Sequence, residues 1–354
     1  MAREIELTIE DIAFGGKGVG RVDGKAIFVP FVIEDERVGA HIIREKKSFA
    51  QGELVRLIDP SRHRTTPRCP YFGRCGGCSY QHMTYDHQLR WKWRQVQQAL
   101  QRIGKFRDPP LRPIIPSPLD YGYRNRITVH VDQGIVGFFR HDGHRLIDID
   151  HCPISLPEVN ERLNELRARH PRDGHYTLRA RIEPRVFGQT NDSVAFQLAD
   201  KIAELIPPND SLLIDAYCGA GFFAKRLRVR FSRIVGLDWD IHAIAAAQMD
   251  ASDIETYIAG DVAMHLDEHL AQADPCLTTV IVDPPAVGLS AGVREILRAH
   301  PVATLLYVSC NPPTLARDLA DLTTAFQLQS VTPLDMFPQT AEIEALAHLR
   351  CKPA

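Results

Sequence analysis

Late in this chain three groups are spaced in a way that could do covalent chemistry. They are the triplet Asp283-Pro284-Pro285, a cysteine 27 residues later (Cys310) and a carboxylate 34 residues beyond that (Glu344). Cys310 closes an apolar run, Thr304 to Val308, and is followed by Asn311-Pro312-Pro313, so the thiol is expected at a strand-to-loop edge. In an open α/β sheet that carboxyl edge is where ligands bind and react. A thiolate nucleophile with a carboxylate base beside it is a working pair. A cysteine by itself is more often a small buried hydrophobe, but Cys310 does not stand by itself.

Two further constellations accompany it. Cys69, Cys75, Gly76, Gly77 and Cys78, with Cys152 in Asp150-His151-Cys152-Pro153, form a metal-ligand pattern. Two glycines between thiols permit the tight turn that aims both at one centre. Four cysteines suit tetrahedral zinc or an iron–sulfur cluster, and spacing alone does not choose, with zinc the default. The second constellation is Leu212 to Gly221, an apolar strand entering a glycine turn, with a helix expected over Phe222–Arg228. Asp238 ends the next strand, where a carboxylate can hold ribose hydroxyls, and Gly260-Asp261 closes a further unit that can meet an adenine edge. Dinucleotide binding is the rival. The missing third glycine, together with the Asp-Pro-Pro triplet, fits an S-adenosylmethionine site better.

The elements that must place these groups follow from composition and pattern. A chain of 354 residues with 44% hydrophobic content is long enough for two or three domains. The first residues carry no apolar leader and no apolar run is long enough to span a bilayer, so a cytoplasmic protein free of membrane is expected. Eight cysteines in such a setting suggest metal binding or catalysis before disulfides. The net charge of −2 hides an asymmetry: residues 1–182 carry 30 Lys+Arg against 22 Asp+Glu, and 183–354 carry 12 against 22. Residues 61–126 hold 13 basic and 3 acidic groups interleaved with Tyr71, Phe72, Tyr80, Tyr85, Trp91 and Trp93. Such a stretch beside an acidic half suggests a polyanion on one side and a small cofactor on the other.

Residues 1–58 alternate short apolar runs with glycine turns, about five strands that predict a small β-barrel of the kind that binds oligonucleotides. The run Gly15 to Gly20 precedes a strand rather than a helix, which excludes a nucleotide loop. A loop rich in Pro, Arg, Cys and Gly occupies 59–82 and a helix is expected at about 86–103. Short strands and a Pro157–Arg169 helix complete a central α+β domain over 59–182. Over 183–354, strands at 211–216, 233–238, 278–283, 304–309 and 330–335 alternate with helical stretches, which predicts a doubly wound, Rossmann-like sheet.

Taken together these residues resemble the RNA (uracil-5-)-methyltransferase family, in particular its ribosomal RNA branch with an N-terminal TRAM domain and an iron–sulfur cluster. The matching motifs are Pro67-Arg68-Cys69 to Gln81-His82, Phe187 to Asn191, Asp215 to Gly221, Asp283 to Pro285, Ser309 to Asp318 and Phe337 to Glu344. The resemblance implies a [4Fe–4S] cluster on Cys69, Cys75, Cys78 and Cys152. It implies S-adenosylmethionine contacts from Gln189, Tyr217, Phe222, Asp238, Asp261 and Asp283, with Phe222 at a position that is usually polar. Cys310 matches the nucleophile and Glu344 the general base. Ala286 stands where the family commonly has Arg, and Asp238 where it has Glu. Glu342-Ile343-Glu344 replaces His-Val-Glu, and spacing from Pro338 favours Glu344 over Glu342 as the base.

The chemistry explains the set. Uracil C5 is too weak a nucleophile to take a sulfonium methyl group unaided. Thiolate addition at C6 makes an enolate whose density sits at C5, and a base must afterwards remove the C5 proton. Phe187 is a candidate for stacking on a flipped-out uracil, or an ordinary core residue. The expected substrate is a uridine of 23S-type ribosomal RNA, methylated by a monomer. The alternatives are a tRNA uridine-54 methyltransferase, a cytosine-5 enzyme, or a non-catalytic RNA-binding assembly factor.

Overall fold

The structure, a computed structural model, describes residues 4–181 and 188–353. Phe187 lies outside the described residues. The chain divides into two compact units: Met1–Gln95 with Pro118–Arg181 and Phe337–Glu342, and Val96–Ser117 with Ile182–Met336 and Ile343–Ala354.

The first unit begins with five strands: β1 (Glu4–Ile12), β2 (Lys17–Val22), β3 (Lys25–Pro30), β4 (Arg37–Glu45) and β5 (Phe49–Asp59). They close into a barrel in the order β1-β2-β3-β5-β4, around Leu7, Ile9, Ile27, Val29, Val38 and Ala40. Closure leaves no free edge. The glycine run is a hairpin feature: a Cβ on Gly18 would come within 2.3 Å of Val32, and one on Gly20 within 2.4 Å of the Thr8 carbonyl. Only glycine lets β1 and β2 approach so closely.

Beyond the barrel run α1 (Tyr85–Arg102), β6 (Arg126–Asp132), β7 (Ile135–Phe139), β8 (Leu146–Asp148), α2 (Pro157–Ala168) and β9 (Gly174–Arg179). The last four strands form an antiparallel sheet, β8-β7-β6-β9, and α2 buries Val159 and Leu163 with Ile127, Val129 and Val136. The division between the units falls within α1, where the character of its buried residues changes. His87, Gln88, Lys92 and Gln95 are buried polar residues of the first part, whereas Val96, Ala99 and Leu100 are apolar and join the core of the second unit.

The second unit carries α3 (Asp192–Leu205), β10 (Leu212–Ala216), α4 (Phe222–Leu227), β11 (Arg233–Asp238), α5 (Ile241–Gln248), β12 (Glu255–Ala259) and α6 (Val262–Ala271). It continues with β13 (Thr278–Val282), α7 (Ala291–Ala299), β14 (Thr304–Ser309), α8 (Pro312–Leu322), β15 (Phe326–Leu334) and β16 (Glu344–Cys351). Seven strands form one sheet in the order β12-β11-β10-β13-β14-β16-β15. The first five are parallel; β16 is antiparallel to both β14 and β15. Val280, Val282, Leu305 and Tyr307 of the central strands are fully buried, as continuous apolar runs of a two-faced sheet must be. Residues 110–115 run beside β15: Arg112 N–H donates to Val331 O (2.8 Å) and Ile115 N–H to Pro333 O (2.9 Å). That segment covers what would otherwise be an open edge. Among the described residues no helix is long and apolar enough to cross a membrane.

Candidate active site

The sheet of the second unit brings the candidate residues to the carboxyl ends of adjacent strands. β10 ends at Ala216, and Tyr217 follows with φ of 65°, turning the chain into Gly219 and Gly221. Gly221, at φ 80°, caps α4, and a Cβ there would lie 2.7 Å from the Tyr257 hydroxyl. The glycine signature is therefore a requirement of both backbone and packing. Asp238, the last residue of β11, accepts from the Gly219 N–H (2.8 Å) and the Asp240 N–H (2.9 Å), which ties the carboxylate to the glycine turn. Asp261 is exposed and its Oδ1 caps α6 by accepting from Ala263 N–H (2.8 Å) and Met264 N–H (3.2 Å).

Asp283 directly follows β13, and its N–H donates to Ala216 O (3.2 Å), so it lies beside the turn after β10. Burial, then the charge of Asp238, pushes its carboxyl up to about 7. Asp215, one step inside β10, is fully buried; burial first and then Asp283 and Asp238 raise it to about 8, against the Ala224 N–H that it accepts (3.1 Å). Its Oδ1 is buried with no partner. Asp215 is thus a fourth carboxyl of this edge, which the sequence reading passed over as part of the strand. Phe222, at the start of α4, is partly buried and stacks on Phe196 at 6.3 Å between ring centroids. Gln189 lies in the loop before α3, whose cap Asn191 donates to Ser117 Oγ (3.0 Å) and to Met336 O (3.4 Å). Asn191 is 1% exposed and anchors that loop, a positioning role its position in the motif did not reveal.

Cys310 stands between β14 and α8. The Ser309 hydroxyl donates to Asn311 O (3.3 Å) and accepts from Asn311 N–H (3.2 Å), so the turn is closed around the cysteine. Asn311 then caps α8 by accepting from Thr314 N–H (3.4 Å), with Pro312 in the first turn, where its missing N–H costs nothing. The ladder between β14 and β16 ends with Ser309 opposite Ala345. One step beyond that last pair are Cys310 and Glu344. Glu344 is 3% exposed, whereas the Glu342 side chain is exposed and its N–H is taken by the Thr340 hydroxyl (3.2 Å). The strand register thus brings the backbone of Cys310 and of the buried Glu344 to the same edge of the sheet as Tyr217, Asp238 and Asp283.

In the first unit Cys69, Cys75, Cys78 and Cys152 are partly buried free thiols. Burial raises Cys69, takes Cys75 up to about 11 and Cys78 to about 12, and each also senses the charge of Cys152. Cys75 Sγ accepts from the Gly77 N–H (3.4 Å), and the Cys152 N–H donates to Asn160 Oδ1 (2.8 Å). Among the described residues no group of three or more His, Cys, Asp or Glu side chains is arranged to hold a metal ion. The neighbouring His82 is buried and lowered to about 4, with its Nε2 at the Val32 carbonyl (3.3 Å). Of the basic stretch, Lys92 is fully buried and Arg64 pairs with the buried Glu36 (2.6 Å), so neither belongs to a solvated basic face. Trp91 is likewise core, donating to Glu34 (2.6 Å).

The family described as tRNA (Uracil-5-)-methyltransferase is matched over residues 172–352, and a TRAM domain over residues 2–55. The chain belongs to the tRNA (Uracil-5-)-methyltransferase family. It is an RNA methyltransferase of the uracil-5 class. An uncharacterized RNA methyltransferase of Protochlamydia amoebophila is 30% identical over 426 residues, covering 98% of each chain. Another, of Halalkalibacterium halodurans, is 30% identical over 447 residues, covering 98% of this chain and 97% of its own. The solved tRNA (uracil-54, C5)-methyltransferase of Pyrococcus abyssi, in complex with S-adenosyl-L-homocysteine, has a TM-score of 0.71 at 24% identity. That likeness covers 98% of this chain and all of the other, and shows that the two uracil-5-methyltransferase folds agree.

Proposed function

We propose that the protein methylates C5 of a specific uridine in 23S-type ribosomal RNA, with Cys310 as nucleophile and Glu344 as general base. The observation that supports this reading is the ladder whose last pair is Ser309 and Ala345, with Cys310 and Glu344 the next residue on each side. The Cys310 thiolate adds to uracil C6, and the electron density passes to C5. S-adenosylmethionine, when bound, supplies the methyl group that ends on C5. Glu344 then takes the C5 proton, the C5–C6 double bond re-forms, and the thiolate leaves. Tyr217, Asp238, Asp261 and Asp283, with Gln189 and Phe222, line the cofactor side of this edge in the proposal. Asp283 reaches the polar edge of the base or the cofactor. The raised carboxyls of Asp215 and Asp283 give that edge groups that can carry or release a proton near neutrality.

In the same reading residues 1–58 are the RNA-binding TRAM barrel, 59–182 the central domain and 183–354 the catalytic domain of a cytoplasmic enzyme. Cys69, Cys75, Cys78 and Cys152 hold a [4Fe–4S] cluster. The donor chemistry fits that group: four thiols with no carboxylate or imidazole among them, each pair within electrostatic reach, and a backbone N–H on one sulfur. Burial resists the thiolate form of Cys69, Cys75 and Cys78, and a cationic iron centre would supply the compensating charge. Ribosomal RNA is favoured by the pairing of TRAM barrel and cysteine quartet. The likeness to a tRNA enzyme makes tRNA the second reading.

The deciding experiment is methyl transfer from labelled S-adenosylmethionine to unmodified total RNA, fractionated by size and digested to nucleosides. Label in 5-methyluridine of the large ribosomal RNA is the expected result. Label in the tRNA fraction moves the substrate and keeps the mechanism; label in 5-methylcytidine overturns the base assignment.

A further inference from the structure

The segment Phe337–Glu342, which leads the chain toward Glu344, is held with unusual completeness. It groups with the first unit, and its three leading carbonyls are all captured. Phe337 O accepts from Lys92 Nζ (2.9 Å), Pro338 O from the Tyr123 hydroxyl (2.9 Å), and Gln339 O from the N–H groups of Ser79 (3.1 Å) and Tyr80 (3.0 Å). Ser79 and Tyr80 are the residues that follow Cys78. Gln339 has φ of 69°, a left-handed conformation that a side chain adopts only when its surroundings impose it.

What imposes it is Gln88 of α1. Gln88 Nε2 donates to Gln339 Oε1 (2.9 Å) and the Gln339 N–H donates to Gln88 Oε1 (3.0 Å), a closed pair of amides. The same Nε2 also reaches Met83 O (3.0 Å) and Tyr80 O (3.2 Å). Gln88 and Lys92 are both 0% exposed. Burying an ammonium and a primary amide beside a loop is costly unless every bond is made, so the arrangement holds the loop in one conformation. Glu344 opens β16, and its described ladder partner is Leu334; the ladder toward β14 begins only at Ala345. The chain therefore enters the base position from a clamped loop rather than from a strand.

We propose that Gln88, Lys92 and Gln339 are positioning residues for Glu344, setting the carboxylate for removal of the C5 proton. The inference rests on the assignment of Glu344 as base. Loss of the clamp slows the elimination that breaks the bond between Cys310 Sγ and C6, leaving the earlier addition intact. An enzyme slowed there accumulates methylated RNA joined to protein, whereas a merely structural defect lowers bond formation and release together.

The test uses the full chain, methyl-labelled S-adenosylmethionine and unmodified total RNA, quenched in denaturant and separated on a denaturing gel. Label migrating with protein is counted against label in free RNA. Gln88→Met and, separately, Lys92→Met are expected to lower turnover about tenfold while raising the protein-bound fraction of label several-fold, with Glu344→Gln as the reference trap. Lower turnover without a rise in protein-bound label, in a Lys92→Met protein that folds and while Glu344→Gln does trap, overturns the positioning role. If Glu344→Gln fails to trap label, the base assignment falls and the inference with it.

Discussion

The two sets of cysteines in this protein are placed by opposite means. Cys310 sits between a fully buried strand and a capped helix, and Glu344 opens β16 one residue before that strand joins the ladder to β14. The four cysteines of the first unit sit in loops, held by local contacts such as the Cys75–Arg140 bridge and the two hydrogen bonds between Asn160 and Cys152. Backbone hydrogen bonds of a sheet interior fix a side chain whatever is bound. A loop of partly buried thiols, with Cys69, Cys75 and Cys78 raised by desolvation, is of the kind completed by what it holds. Under the proposed assignments the first arrangement serves chemistry and the second a ligand.

The largest effect expected from that contrast is at Cys310. Cys310→Ala should lower methyl transfer by about 10⁴-fold or more with no change in melting temperature, read from label incorporated into RNA and a thermal scan. A variant that keeps activity removes the comparison altogether. Next comes Glu344→Gln, expected to reduce turnover by on the order of 10²–10⁴-fold, while Glu342→Gln, altering an exposed side chain, should leave the rate within about twofold. Equal losses at both positions would mean that strand register does not choose the base. On the other side, Cys78→Ser should remove bound iron and lower the melting temperature by several degrees. The rate at which iodoacetamide alkylates Cys310 should stay the same, and a changed rate would show the two sets are not independent.

The smallest effect sharpens the electrostatic half of the comparison. Asp215 has a folded-state pKa raised to about 8 and Asp283 one raised to about 7. A carboxyl raised on folding contributes stability that is fully present below its unfolded pKa and is lost as pH rises through the folded value. Stability of the cofactor-free protein should therefore fall from about pH 4, just above the unfolded carboxyl value, to about pH 8, and level off beyond it. Asp215→Asn, which keeps an acceptor for the Ala224 N–H, should flatten that fall. A pH series of melting temperatures in which Asp215→Asn falls as steeply as the parent would remove Asp215 from the account.

Much of the second unit was legible because its signals are local. Apolar runs ended by a carboxylate or cysteine gave the strands now seen at Leu212–Ala216, Arg233–Asp238, Thr278–Val282 and Thr304–Ser309, and glycines marked the turn at Gly219 and Gly221. The barrel was legible for the same reason, since glycines and alternating apolar residues are a period-two pattern. What escaped is non-local. Nothing in residues 110–115 announces that they line β15, because backbone pairing leaves no mark on side-chain pattern. Lys92 reads as one more positive charge of a basic stretch, and only tertiary packing turns it inward to Phe337. Asp215 reads as the polar end of a strand, with its unpartnered, buried oxygen invisible in the letters. The adjacency of Cys310 and Glu344 depends on β16 entering between β14 and β15, a choice of strand order that spacing does not dictate.

The edge-covering segment has a consequence during synthesis. Leu111 lies beside Val331 and Ile115 beside Leu334, partners separated by 220 and 219 residues of chain (331 − 111 and 334 − 115). At about 5–20 residues per second a ribosome needs roughly 10–45 s to make the later strand after the earlier segment has emerged. For that interval the nascent chain carries the segment 110–115 with its backbone partner still unmade. The edge of β15 is therefore covered by a segment that has waited through most of synthesis to find it.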